Sequence, residues 1–208
     1  MDVVNDFIVQ AASSPWIYLV VLGAVFVDAF FPPVPSESIV IAAAVAGVAV
    51  GQPNVMLVVA FAAAGAIIGD NVTFAIGRLV GTERYRWMWR PRVKAALGWA
   101  KRGLDRRAAV LLLTARYVPV GRVAVNLVAG ASGFSRPKFF GLSVLAGLSW
   151  AAYSVTVGLL AGQLFGGNAL LGIVVGIAMG LVTGVLVDTA IRIVARRRER
   201  GLVACEVR

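Results

Sequence analysis

The sequence predicts an all-α polytopic membrane protein: an inverted repeat of two opposed re-entrant helical hairpins, about three full transmembrane helices and a basic amphipathic cytoplasmic segment. Three observations carry this expectation. Of 208 residues, 60% are hydrophobic and only 14% are charged, whereas soluble domains carry about 25% charged residues and under half apolar ones. The basic residues are segregated, with none before Arg78. Two of the apolar runs are broken by proline in mid-course.

The first apolar run, residues 16–50, is interrupted by Pro32, Pro33 and Pro35. Proline lacks an N–H and bars helix continuation, so the chain must turn there. Arms of roughly 16 residues rise about 24 Å, short of a hydrocarbon core of about 30 Å. A re-entrant hairpin fits better than two spans. Residues 55–77 are long and apolar enough to cross, although Asp70 lies among them. The basic segment 78–107 intersperses Trp87, Trp89 and Trp99 among its charges. Aromatic rings beside snorkelling Arg and Lys suit a helix in the anionic headgroup layer, or more plainly a topological anchor.

The run 108–135 is broken at Pro119 and Gly121. Two crossings would need about 40 residues, and 28 are present. A single crossing would put the 78–107 block and the basic tail 194–208 on opposite faces, against the positive-inside rule. A hairpin entering and leaving on the cytoplasmic face satisfies both constraints. Residues 139–163 and 169–193 complete the full spans. The latter places Gly172, Gly176, Gly180 and Gly184 at four-residue intervals, a ridge for close packing within the chain or against a second copy.

On this organisation residues 1–208 are expected to form one membrane domain. Arg outnumbers Lys 17 to 3, which suggests a high-GC bacterial genome and hence a bacterial inner membrane. The N-terminus, the 51–54 turn and the 164–168 loop are expected outside, and the C-terminus in the cytoplasm. Hairpin one enters from outside and hairpin two from inside. Such inverted pairs build transporter sites where broken helices meet near the midplane. A weak repeat, Gly77 to Gly81 against Gly158 to Gly162, is consistent with that.

Six ionisable residues fall in the predicted membrane segments: Asp28, Glu37, Asp70, Arg116, Arg122 and Asp188. A charge there costs about 2.5–3.5 kcal/mol on insertion scales. Asp28 and Glu37 flank the first break, and Arg116 and Arg122 flank the second. If the breaks meet, an acidic tip faces a basic one inside the membrane. Structural ion pairing is the plainer reading, but buried pairs barely offset their desolvation. Asp70 is a second-tier candidate, and Asp188, one turn before Arg192, needs only an i,i+4 pair.

The composition excludes several classes. There is no histidine, and the lone cysteine is Cys205, so His-based nucleophilic sites, His-ligated metals and intrachain disulfides are ruled out. No enzyme activity, cofactor or metal is expected. Basic blocks set between apolar runs argue against a nucleic-acid partner.

The residues Asp28 through Pro32, Pro33 and Pro35 to Glu37, then Gly69-Asp70-Asn71 with Gly77 and Gly81, then Arg116, Pro119, Gly121 and Arg122 running on to Ala129-Gly130, resemble the DedA (VTT-domain) family over about residues 16–165. One departure is Asp28, where the family often has Glu. The resemblance implies a transporter with two opposed re-entrant hairpins. Several bacterial members return undecaprenyl phosphate to the cytoplasmic leaflet and depend on the proton motive force. Carried over, Asp28 and Glu37 would be the proton-linked acids and Arg116 and Arg122 the essential arginines. A guanidinium stays charged and offers a bidentate fork to phosphate. The expected function is therefore a flippase for a phosphate-bearing lipid. A proton- or cation-coupled exchanger of small solutes and an uncoupled scramblase are the alternatives.

Overall fold

The computed structural model describes residues 10, 12–31, 34–81, 102–104, 107–116, 119–165, 170–180, 182 and 189. The described residues are helical with connecting turns, and none is in a strand. The expectations for Pro32, Pro33, Asp188, most of the basic segment, the second half of the 169–193 span and the tail 194–208 lie outside the described residues.

Two helices are long and apolar enough to cross a membrane: α3, Val55–Val80, and α5, Arg136–Leu164. Their 26 and 29 residues amount to about 39 and 43 Å of rise. Both overrun the stretches read from hydropathy, because polar turns extend them beyond the apolar core. At the start of α3 the Asn54 side chain accepts hydrogen bonds from the Met56 and Leu57 N–H groups, satisfying donors that the helix itself leaves free. Gly81, at φ +69°, closes its other end, a backbone conformation that suits glycine. Along α3 and α5, Met56, Leu57, Ile68, Leu79, Phe140, Leu145, Leu160 and Leu164 are exposed. That is how a lipid-facing surface looks when the solvent is not water.

The other helices are short. Helix α1, Trp16–Asp28, has 13 residues and α2, Ser36–Ala49, has 14, each rising only about 20 Å. Helix α1 stops at Asp28 and α2 starts at Ser36, on either side of the proline-bearing stretch. The second broken run comprises a helical stretch over residues 107–115, a turn at Arg116 and helix α4, Pro119–Ala131. Here the interruption lies before Pro119, and Gly121 sits inside α4. Proline suits the opening position of a helix, where its missing N–H has no partner to lose. A single glycine inside a helix only weakens it. Helix α6, Leu170–Gly180, is apolar throughout.

Helix α3 is the hub, packing against α1, α2, α4 and α5, while α2 packs mainly on α5. Small residues set these approaches. A Cβ on Gly65 would collide with the Leu22 backbone of α1, and one on Gly77 with the Leu127 backbone of α4. Gly130 of α4 lies equally close to the Phe74 backbone. The glycines of the last apolar run pack within the chain. Gly172 meets Val45, Gly176 meets Ile41 and Gly180 meets Ile41 and Glu37, all on α2. Gly184 lies outside the described residues.

Candidate functional site

Five of the ionisable residues singled out in the sequence are described, and four form two ion pairs. Arg116, in the turn before α4, donates through Nη1 to Oδ2 of Asp70 on α3 at 2.5 Å. Arg122, on the first turn of α4, lies 3.2 Å from Oδ2 of Asp28 at the end of α1. The two broken runs therefore touch, with the basic one reaching the acidic one. No other ion pair is found among the described residues.

The depth of the site follows from two long helices. Trp150, whose ring centroid is 5.2 Å from the Arg116 Cζ, lies midway along α5. Asp70 lies 10 residues before the end of α3, or about 15 Å of rise. Both helices thus carry their site residues far from either end.

Around Arg116 the polar contacts are tightly organised. The second oxygen of Asp70, Oδ1, accepts from Asn126 Nδ2 at 2.9 Å, so one carboxylate ties α3 to both sides of the second break. Gly69, just before it, lets α3 approach α1 so closely that a Cβ would meet Ala29. Thr73, one turn on, donates to the carbonyls of Gly69 and Ala29 at 2.9 and 3.3 Å. The carbonyl of Ala29 is one of those freed when α1 stops. Trp150 covers the guanidinium as a cation–π partner.

Around Arg122 the pairing is looser. Its Nη2 donates to the backbone carbonyl of Asp28 at 2.5 Å and also lies against the same residue's carboxylate. A cation placed on the last carbonyls of α1 also suits the negative end of that helix. Ser36, at the start of α2, donates from Oγ to Asp28 Oδ2 at 2.5 Å, spanning the first break. The carboxylate of Asp28 is 13% exposed and that of Asp70 is 5% exposed.

Glu37 stands apart. Among the described residues it forms no ion pair. Its Oε1 would lie 3.3 Å from a Cβ placed on Gly180, so it faces α6 rather than an arginine. Asp28 is close enough for its charge to act on Glu37, and Arg122 and Asp28 are close enough to act on Arg116. The four flanking charges and Asp70 thus form one electrostatic unit.

The guanidinium groups are not saturated. Nε and Nη2 of Arg116 and Nε of Arg122 are buried with no hydrogen-bond partner among the described residues. Leaving buried charged donors unpaired costs several kcal/mol unless something else accepts from them.

The VTT domain profile matches residues 15–160. The chain belongs to the VTT-domain, or DedA, family. Relatives of this family member are membrane proteins: it is 26% identical over 171 residues to an uncharacterized membrane protein of Mycobacterium tuberculosis, covering 78% of this chain and 76% of that one. It is 27% identical over 143 residues to protein DedA of Escherichia coli, covering 65% and 64% of the two chains. No solved structure matches the chain. The matched VTT segment contains every residue of the two ion pairs.

Asp70 plays a larger part in the geometry than its second-tier standing in the sequence suggested, because it is the direct partner of Arg116. Asn126, Ser36, Thr73 and Trp150 were not singled out at all. Asn126 could have been found, since it lies one helical turn after Arg122 and shares its face. Trp150 carried no signal: an aromatic within an apolar span reads as packing.

Proposed function

We propose that this VTT-domain protein is a flippase for a phosphate-bearing lipid such as a polyprenyl phosphate, with transport coupled to protons. The single observation that carries this reading is the set of buried N–H groups on Arg116 and Arg122 that have no partner among the described residues. Such donors match the oxygens of a phosphate, and the permanent charge of guanidinium keeps them donors at any pH. The lipid tail would remain in the bilayer while the headgroup passed through the site.

In this reading the two broken runs are re-entrant hairpins inserted from opposite faces of the bacterial inner membrane, with the C-terminus cytoplasmic. The short arms support it, since about 20 Å of helix cannot cross a hydrocarbon core of about 30 Å. The basic 78–107 segment would rest on anionic headgroups. Coupling would run through the carboxylates. When phosphate engages the arginines, an acid released from its pair takes up a proton, and the proton leaves when the pair re-forms. Glu37, close to Asp28 but paired with no arginine among the described residues, would act as a second proton acceptor.

Full-length protein in liposomes, with labelled polyprenyl phosphate followed leaflet by leaflet, tests the proposal. Lipid movement that accelerates under an imposed pH gradient is expected. Movement indifferent to the gradient would make the protein a scramblase. Cation-driven pH change without lipid movement would make it a small-solute exchanger. A homo-oligomer would alter the stoichiometry and not the site.

A further inference from the structure

The free atoms of Arg116 are not a random remainder. In a planar guanidinium, Nε–H and Nη2–H lie side by side on one edge and point the same way, giving a two-pronged fork. Both atoms of that edge are buried and unpartnered among the described residues, whereas Nη1 is bound to Asp70. Two contacts hold this division. Asp70 is held on its second oxygen by Asn126 at 2.9 Å, so its carboxylate cannot swing to another edge without breaking that bond. The Arg116 Cζ lies over the Trp150 ring, 5.2 Å from its centroid, a cation–π contact that restrains the guanidinium. Arg116 itself is 5% exposed, so both contacts are made away from solvent.

We propose that Trp150 and Asn126 are positioning residues: they hold Arg116 so that its Nε/Nη2 edge receives two oxygens of a phosphate monoester while Asp70 stays bound to Nη1 throughout the cycle. This rests on the reading of Arg116 as a phosphate ligand and divides the labour between the two pairs. The Arg116–Asp70 pair becomes a fixed receptor, and the anion need not displace its carboxylate. The exchangeable counter-ion is Asp28, whose arginine contact is longer, at 3.2 Å against 2.5 Å, and whose side chain is the more exposed. Its arginine also keeps a backbone carbonyl as a second acceptor, so Arg122 retains a partner when the carboxylate leaves.

The test is transport of a polyprenyl monophosphate by full-length Trp150→Leu, Trp150→Phe and Asn126→Leu in liposomes, with KM and kcat separated. Trp150→Leu is expected to raise KM about three- to thirtyfold, the range of a desolvated cation–π contact, with kcat little changed. Trp150→Phe, which keeps a ring face, should recover most of that loss. Asn126→Leu should raise KM similarly and leave the number of protons moved per lipid unchanged. Unchanged KM in both Trp150→Phe and Asn126→Leu together with unchanged KM in Trp150→Leu overturns the proposal. So does Trp150→Phe as impaired as Trp150→Leu, which would mark a packing defect. Should Trp150→Leu fail to insert, Asn126→Leu decides, a normal KM being the overturning result. Wild-type protein that moves no monophosphate overturns the functional reading as well, whereas wild-type transport beside normal variants overturns the positioning role alone.

Discussion

Arg116 gives one nitrogen to Asp70 and keeps two buried nitrogens without a partner among the described residues. An ion pair that served only to hold α3 against the second break would be expected to satisfy the whole guanidinium, because each orphaned donor subtracts from stability. A buried guanidinium with two of its three nitrogens unbound among the described residues calls for a further acceptor.

Replacing Arg116 with Lys keeps the charge beside Asp70 but removes the fork. Lipid phosphate transport should fall roughly 10- to 100-fold, the value of losing a hydrogen bond to a charged group. Arg122→Lys should also fall. Normal transport by both Lys variants, in the leaflet-resolved assay, would eliminate phosphate binding by these residues.

Asp70→Ala strands the Arg116 charge in a buried setting. A loss of about 3–5 kcal/mol is expected, read as a lower unfolding temperature in detergent. The double change Asp70→Leu with Arg116→Met should return most of that stability and none of the transport. A double variant no more stable than the single one would show that the pair carries no buried-charge penalty.

Asp28→Asn retains an oxygen that can accept from Ser36 Oγ and Arg122 Nη2, the two contacts made by Oδ2, but cannot exchange a proton. Transport is expected to persist at a reduced rate and to lose most of its response to an imposed pH gradient, Glu37 retaining the remainder. A response equal to that of the wild type would remove Asp28 from the coupling path.

Close helix approach makes a further, purely structural prediction. Gly77→Val drives a side chain into the Leu127 backbone, whereas Gly141 has nothing within 4 Å of its would-be Cβ. The first change should destabilise by roughly 1–3 kcal/mol, and Gly141→Ala should stay within about 0.5 kcal/mol of wild type. Thermal unfolding of the two side by side decides it.

Topology is open to labelling, because Cys205 is the single cysteine. It should react with a membrane-impermeant maleimide in inverted vesicles and not in intact spheroplasts. In a Cys205→Ser background, Ser14→Cys and Gln52→Cys flank the first broken run and should both react from outside. Reaction from opposite faces would mean that this run crosses the membrane.

The sequence by itself determined the membrane class, two long helices of the three spans expected, and breaks at the prolines, though Gly121 lies inside α4 rather than at a break. It also picked out Asp28, Arg116 and Arg122. These are local properties: hydropathy needs only a window of residues, proline blocks a helix through its own ring, and a charge in an apolar run is conspicuous wherever it stands. Pairing is not local. Arg116 joins Asp70 rather than Glu37 because Gly69 and Gly77 let α3 lie close against α1 and α4, bringing a residue 46 positions away into contact. Glu37 flanks the first break as expected, yet the turn of α2 directs it to Gly180. Trp150 and Asn126 entered the site only when helices distant in sequence were packed together, and the same packing decided that the Gly172–Gly180 ridge serves α2 of its own chain. Periodicity shows which face of a helix is buried. The identity of the atoms that meet there depends on interhelical distance, and small residues set that distance through the fold as a whole.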